Sequence, residues 1–225
     1  MPGLVLTDLT TRVGHATGDR RPFTLGPLSL AVAPGECVVI TGPVGAGKST
    51  LIECMLGLRP VAGAVTLDGE RLDTLPIERR RLGWVPQDGA LLASRTVRQQ
   101  ITQATRFPSR RRPPASRKDA PAVAASLLDD WSLSSLAERR PAELSGGQRQ
   151  QVALVRAIAS RPAALLMDEP FSAQDPETRV RLRGRIRAWA ASESIPLLHI
   201  THDEAEAEAI ADRRVVLVDG QIAKA

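Results

Sequence analysis

The nine residues Gly42, Pro43, Val44, Gly45, Ala46, Gly47, Lys48, Ser49 and Thr50 constrain the chain more than any other stretch. They fit the pattern G-x-x-x-x-G-K-[ST], and the flanking residues fit its usual setting. Cys37, Val38, Val39, Ile40 and Thr41 form a short apolar, β-branched run typical of a buried parallel strand, and residues 51–56 read as a helix. Strand, glycine loop and helix in that order make a phosphate cradle. Glycines let the loop turn its N–H groups inward, while the helix start adds free N–H donors and a positive dipole end. Lys48 brings a full charge, and Ser49 is placed to offer its hydroxyl to a magnesium ion on the outer phosphates.

A second motif, Leu144, Ser145, Gly146, Gly147 and Gln148, lies about a hundred residues on. Ser145 with Gln148 three later has capping-box form in front of a helix over 151–160, which puts both glycines in the first turn. Each glycine costs a helix about 1 kcal/mol relative to alanine, and a purely structural helix start needs neither. The pair therefore reads as a second anion-binding helix start, open so that a phosphate can reach the backbone. The run 164–170 is an apolar strand that ends in Asp168 and Glu169. An acid there needs a partner. A magnesium ion near Ser49 would supply one for Asp168, directly or through water, while Glu169 would orient and deprotonate an attacking water.

Bulk composition narrows the class. With 225 residues, 43% hydrophobic and 24% charged, the chain is long and apolar enough for a substantial core. No apolar run approaches the ~20 residues that cross a bilayer, and the N-terminus has no basic flank followed by a long apolar core. A cytoplasmic protein is expected. Cys37 and Cys54 lie in apolar patterns without metal-ligand spacing, so both read as buried thiols. The formal charge of +5 suggests an anionic partner, but aromatics are 3% and tyrosine is absent, so the stacking platforms of single-strand binders are missing. Much of the basic excess sits in the Arg/Pro-rich segment 106–118, expected to be a solvated, mobile loop. Direct nucleic-acid binding is not expected.

Elsewhere, residues 3–8, 28–32 and 61–69 read as strands of a β-rich flap, the last closed by an Asp68-Gly69 turn. A strand over 79–87 ends at Gln87, and helices follow to about 160, one capped by Thr96 with Gln99 and one over 122–130. Asp175 caps a further helix with Pro176 at its first position, its arginines at 179, 181, 183, 185 and 187 coating a wet face. After a strand over 196–201, Thr201 to Glu204 again has capping-box form, which places His202 in a helix's first turn beside the phosphate site as a γ-phosphate contact. A last strand covers 215–218.

Taken in this order, the motifs resemble the nucleotide-binding subunits of ABC transporters over nearly the whole chain. The resemblance implies an α/β fold, a P-loop NTPase core of mostly parallel strands with an antiparallel β subdomain and an α-helical subdomain. It implies one domain over 1–225, with core and β subdomain in about 1–87 and 161–225 and helices in about 88–160. By similarity, 42–50 would be the Walker A loop, Gln87 the Q-loop glutamine with a share in the metal site, 144–148 the signature, 164–168 the Walker B strand with Glu169 as catalytic base, 172–175 the D-loop and His202 the switch histidine. Two copies, alike or different, would sandwich ATP and Mg2+ between the loop of one and the signature of the other. Transmembrane permease subunits would be the partners, with a substrate-binding protein in an importer. The spacing of Gln87 to Val97, Pro141 just before the signature, and the run Thr201, His202, Asp203 followed by Glu206, Ala207 and by Ala211, Asp212, Arg213 resemble importers of the molybdate, sulfate, polyamine or iron type.

Two positions depart from the family pattern. Val13 stands where an aromatic ring usually stacks on adenine, with Phe23 or His15 as substitutes. Gln174 replaces the usual D-loop leucine, which would alter contacts across the dimer. A non-transport member acting on nucleic acid or ribosomes is the rival. A repair-type member would carry a long heptad insertion between the Walker motifs and a translation-type member a second cassette; this sequence has neither.

Overall fold

The computed structural model describes residues 3–14, 23–107 and 114–223. His15 and positions 108–113 of the Arg/Pro segment lie outside them. The chain divides into two compact units, one of Met1–Arg80 with Gly184–Ala225 and one of Arg81–Arg183. The first opens with β1 (Leu4–Val13), β2 (Phe23–Val32), β3 (Cys37–Thr41), α1 (Lys48–Leu56), β4 (Ala62–Leu67) and β5 (Glu70–Arg71). The second holds β6 (Leu82–Val85), α2 (Val97–Ala104), α3 (Ala120–Asp130), α4 (Gly146–Ala159), β7 (Ala164–Asp168) and the start of α5 (Pro176–Ser192), which continues into the first unit. There the chain finishes with β8 (Leu197–Ile200), α6 (Glu204–Ile210), β9 (Arg213–Val218) and β10 (Gln221–Ile222).

In the first unit, β3 is the axis. All five of its residues are buried, and it pairs in parallel with β8 on one side and β9 on the other. Burial on both faces explains its unbroken apolar run. A separate antiparallel sheet in the order β2-β1-β4-β5 makes the β-rich flap. β1 and β2 extend well past the apolar cores at 3–8 and 28–32, because the sheet ladder carries their polar ends as well.

The end of α1 is closed by a residue far along the chain. Gly57 follows the helix at φ 82°, and a Cβ added there would lie 2.4 Å from Arg80 Cζ. Arg80 fills that space with only 6% of its surface exposed. Its guanidinium donates to the carbonyls of Met55 at 2.8 Å, Leu75 at 3.0 Å, and Cys54 and Asp73 at 3.3 Å. It meets the negative end of the helix dipole with donors that the last carbonyls lack.

In the second unit, β6 and β7 are parallel, with Leu82 opposite Ala164 and Val85 opposite Met167. β6 stops at Val85, short of Gln87, because Pro86 has no N–H to continue the ladder. α4 buries Val152, Leu154, Val155 and Ile158. The expected caps at Thr96, Ser145 and Asp175 are all formed, each side chain accepting from the backbone N–H three residues on.

Two expectations fail. The helix after β8 is capped by Asp203, whose carboxylate accepts from Glu206 N at 3.0 Å, while Thr201 Oγ1 accepts from Asp203 N at 3.1 Å. His202 therefore precedes the cap and is exposed, outside the first turn. Nor do the α5 arginines simply coat a wet face. Arg179, Arg183, Arg185 and Arg187 are half-buried, and Arg187 donates to Asp212 Oδ1 at 2.6 Å and to Gly35 O at 3.3 Å. Asp212 in turn accepts from Cys37 N at 2.8 Å, which fixes the start of β3.

Arg80→Met keeps the apolar stem and removes the donors. It should destabilise the protein by about 2–3 kcal/mol, because several buried carbonyls lose their partner, and lower Tm by roughly 5–10 °C; an unchanged melt would refute the capping role. Burial pushes the thiol of Cys37 up to about 12 and that of Cys54 up to about 11, from 9.0. Both hold their protons more tightly when folded, so the stability they lend is whole below about pH 9 and falls as the pH climbs toward those values. Iodoacetamide at pH 8 should leave both thiols unmodified in the native protein and alkylate both in denaturant.

Candidate functional site

The loop between β3 and α1 is set up to receive an anion. Gly47 is the residue before α1, at φ 99°, and as a glycine it offers the N–H groups of the first helical turn no side-chain cap. A Cβ on Gly47 would meet Phe23 Cζ at 2.8 Å and Leu25 Cδ1 at 2.9 Å, so the β2 side chains press against the loop and only glycine fits. Lys48 is 9% exposed and donates to the carbonyls of Gly42 at 2.8 Å and Pro43 at 2.9 Å. Its ammonium is thus held over the loop. Ser49 is exposed on the first turn, Thr50 is half-buried, and Val44 at the loop tip is 99% exposed. Gly45 is exposed and Ala46 is buried, its carbonyl accepting from Gly220 N at 3.1 Å. Val13 lies opposite Phe23 in the β1–β2 ladder. The aromatic ring missing at 13 is therefore present on the neighbouring strand, against the phosphate loop.

His202 also belongs to this unit, between β8 and α6. Sequence reasoning missed the buried pair that joins the strand before it to the helix after it. His199, fully buried in β8, has Nε2 2.8 Å from Glu206 Oε1 on α6, and Glu206 is 4% exposed. The signal was legible, since a histidine in an apolar strand needs a polar partner. The partner's identity was not.

The second unit brings the remaining residues together. Gln87, just past β6, donates from Nε2 to Glu169 Oε2 at 3.1 Å. Asp168 is half-buried at the end of β7, and Glu169 follows at φ 46°, a left-handed backbone that a glutamate rarely adopts. Its carbonyl accepts from Ser172 N at 3.3 Å and from Ser172 Oγ at 3.0 Å. At the head of α4, Ser145 Oγ accepts from Gln148 N at 3.2 Å and Gln148 Oε1 accepts from Ser145 N at 2.9 Å. Gly146 is open to within ordinary contact distance. Gly147 has a packing role as well, because a Cβ there would lie 2.8 Å from the carbonyl oxygen of Ala173. Gln174, which replaces the usual D-loop leucine, is buried, with Nε2 donating to Gly147 O at 2.8 Å and Oε1 accepting from Gln151 Nε2 at 3.0 Å.

One further side chain escaped the sequence reading. Gln150 is 3% exposed on the inward face of α4. It lies among the loops that carry Gln87, Glu169 and Ser172, with hydrogen bonds to each. An amide on the same face as Ala153, Leu154 and Ala157 was the available signal, at the i, i+3, i+4, i+7 spacing of a buried stripe.

Among the described residues no helix is long and apolar enough to cross a membrane. The chain is 41% identical over 199 residues to a sulfate/thiosulfate import ATP-binding protein of Chromobacterium violaceum, covering 88% of this chain and 55% of that protein. It is 42% identical over 201 residues to an Fe(3+) ions import ATP-binding protein of Streptomyces coelicolor, covering 89% of this chain and 56% of that one. It spans a little more than half the length of these relatives. Its fold superposes on a dimeric bacterial ABC transporter cassette with a TM-score of 0.86 at 27% identity, over 98% of this chain and 97% of that one. A post-hydrolysis state of such a cassette, bound to ADP and Pi, gives 0.87 at 27% identity and the same coverage. The family model described as ABC transporter matches residues 25–172. Because that match runs from β2 past Glu169, it takes in both glycine motifs and the paired carboxylates, and the chain belongs to the ABC transporter family.

Proposed function

We propose that the chain binds and hydrolyses ATP and thereby powers substrate movement by a membrane transporter. The observation that carries this reading is the Gln87 to Glu169 hydrogen bond at 3.1 Å, next to a glutamate held in a left-handed backbone. Strain at a polar residue beyond a core strand fits a group placed for chemistry. Lys48 and the N–H groups of the 42–50 loop hold the phosphates, Glu169 takes the proton from the attacking water, and Gln87 and His202 orient the outer phosphate.

Ser49, Asp168 and Gln87 offer hydroxyl, carboxylate and amide oxygens, the hard donors that Mg2+ takes. No group of three or more His, Cys, Asp or Glu among the described residues could hold a metal ion unaided. That suits an ion completed by phosphate oxygens and water. When bound, Mg2+ neutralises charge that develops on the phosphates.

Two copies pair, each closing the other's site with Ser145, Gly146, Gly147 and Gln148. The related import subunits and the dimeric cassette support this reading. The partners are membrane-spanning permease subunits, with a substrate-binding protein on the import side, and the chain works on the cytoplasmic face. A groove of about 280 Å³ in the second unit suits a helix from such a permease. It is lined by the exposed Leu92 and Phe107, by Trp84, whose buried indole N–H has no acceptor among the described residues, and by Arg156. Arg156 donates to Ala90 O at 2.6 Å and Gly89 O at 3.2 Å, so a partner in the groove touches the segment that follows Gln87.

Lys48→Ala should weaken ATP binding by at least about 100-fold in calorimetric titration with an unchanged fold; wild-type affinity would contradict the cradle. Glu169→Gln should bind ATP normally while kcat falls by roughly 100-fold or more, and a normal steady-state rate would remove Glu169 as base. Leu92→Asp combined with Phe107→Asp should abolish capture of the permease and leave ATP affinity intact; permease capture at the parent level would rule out the groove.

A further inference from the structure

We propose that Gln150 is a positioning residue that holds the Gln87–Glu169 pair in register from the α4 helix, an inference that rests on the catalytic reading of Glu169. The two hydrogens of Nε2 serve Ser172 Oγ at 2.9 Å and Gln87 O at 3.1 Å, and the same nitrogen lies 3.4 Å from Glu169 O. Its Oε1 accepts from Ala173 N at 3.1 Å. The same side chain thus grips the backbone at both residues whose side chains meet 3.1 Å apart, and the loop that follows them. A short amide with donors and an acceptor can do this, whereas an apolar residue of equal size cannot.

The strain at Glu169 makes the grip consequential. A left-handed non-glycine residue is strained and persists only where its surroundings over-determine it. The Glu169 carbonyl accepts from Ser172 Oγ at 3.0 Å and from Ser172 N at 3.3 Å, with Gln150 Nε2 3.4 Å away. Ser172 Oγ also accepts from Gln150, so the serine and the amide brace each other. Gln150 stands five residues after Ser145 on a helix whose first turn is fixed by its own capping box. Whatever engages Ser145 to Gly147 therefore moves, or steadies, the residue that sets Glu169. Gln174 ties the same elements a second time through Gly147 O and Gln151.

The test uses the full chain. Gln150→Leu should lower kcat for Mg-ATP hydrolysis by roughly 30- to 100-fold, the loss expected for a misplaced catalytic group, with the ATP dissociation constant and KM within about twofold. Without nucleotide, amide hydrogen exchange at 86–90 and 169–174 should quicken in this variant while β3 and α1 exchange as in the parent. Ser172→Ala, on an exposed loop, should give a smaller loss of kcat with the same exchange pattern. Unchanged exchange in those loops, or a raised KM with parent kcat, would overturn the proposal. If Gln150→Leu does not fold, parent kcat and parent exchange in Ser172→Ala overturn it instead. Glu169→Gln run in parallel separates the two readings. Parent turnover there removes the base assignment while the exchange data still judge Gln150, and lost turnover there with parent kcat in Gln150→Leu defeats the positioning role alone.

Discussion

The second unit depends on polar side chains of α4, Gln150 and Arg156, that face backbone. Gln150, at 3% exposure, satisfies carbonyl and hydroxyl groups from the loops after β6 and β7, groups that would be costly to leave unpaired inside the protein. Arg156, two turns on, does the same for Gly89 and Ala90, and burial lowers its pKa from the usual arginine range without removing its charge. A helix that begins with two glycines is a poor helix start by propensity alone. α4 forms because its capping box and its apolar stripe at Val152, Leu154, Val155 and Ile158 outweigh that cost. The glycines then serve fit, since Gly147 lets the Ala173 carbonyl approach.

The first unit uses the opposite device. Where α2 and α4 have side-chain caps, α1 begins at Gly47 with none, and a buried lysine leans over the loop. Free N–H groups, a helix dipole and a fixed positive charge make one side of the loop an anion site. The parallel strands β3 and β8, buried along their whole length, supply the rigidity with β9 on the other side of β3, and their order leaves the loop at the carboxyl end of β3. This is where open α/β sheets bind ligands.

What the sequence made legible was local. The capping boxes at 96–99 and 145–148 are short-range hydrogen-bond patterns, and both formed as read. Apolar runs at 37–41 and 164–168 became strands because uninterrupted burial leaves no other reading. The failures involve either close local competition or distant partners. At 201–204 two eligible caps lie two residues apart, and the carboxylate of Asp203 took the helix. Arg187 looked solvated until α5 brought it to Asp212, which lies 25 residues on. Gln150 finds Gln87 at a separation of 63 residues, and His199 finds Glu206 across a strand and a helix. His199 and Glu206 lie close in the chain but on different elements, and the other two pairs are too far apart for local patterning to join them.

The proposed function requires two copies to share one triphosphate, with the 42–50 loop of one facing the 145–148 turn of the other. The most direct measurement is the solution mass of the Glu169→Gln chain by light scattering, with and without Mg-ATP. The mass should double with ATP, stay single with ADP, and stay single with ATP once Ser145 is changed to arginine. A mass that stays single at saturating ATP, or doubles regardless of nucleotide and of Ser145, would contradict the shared site.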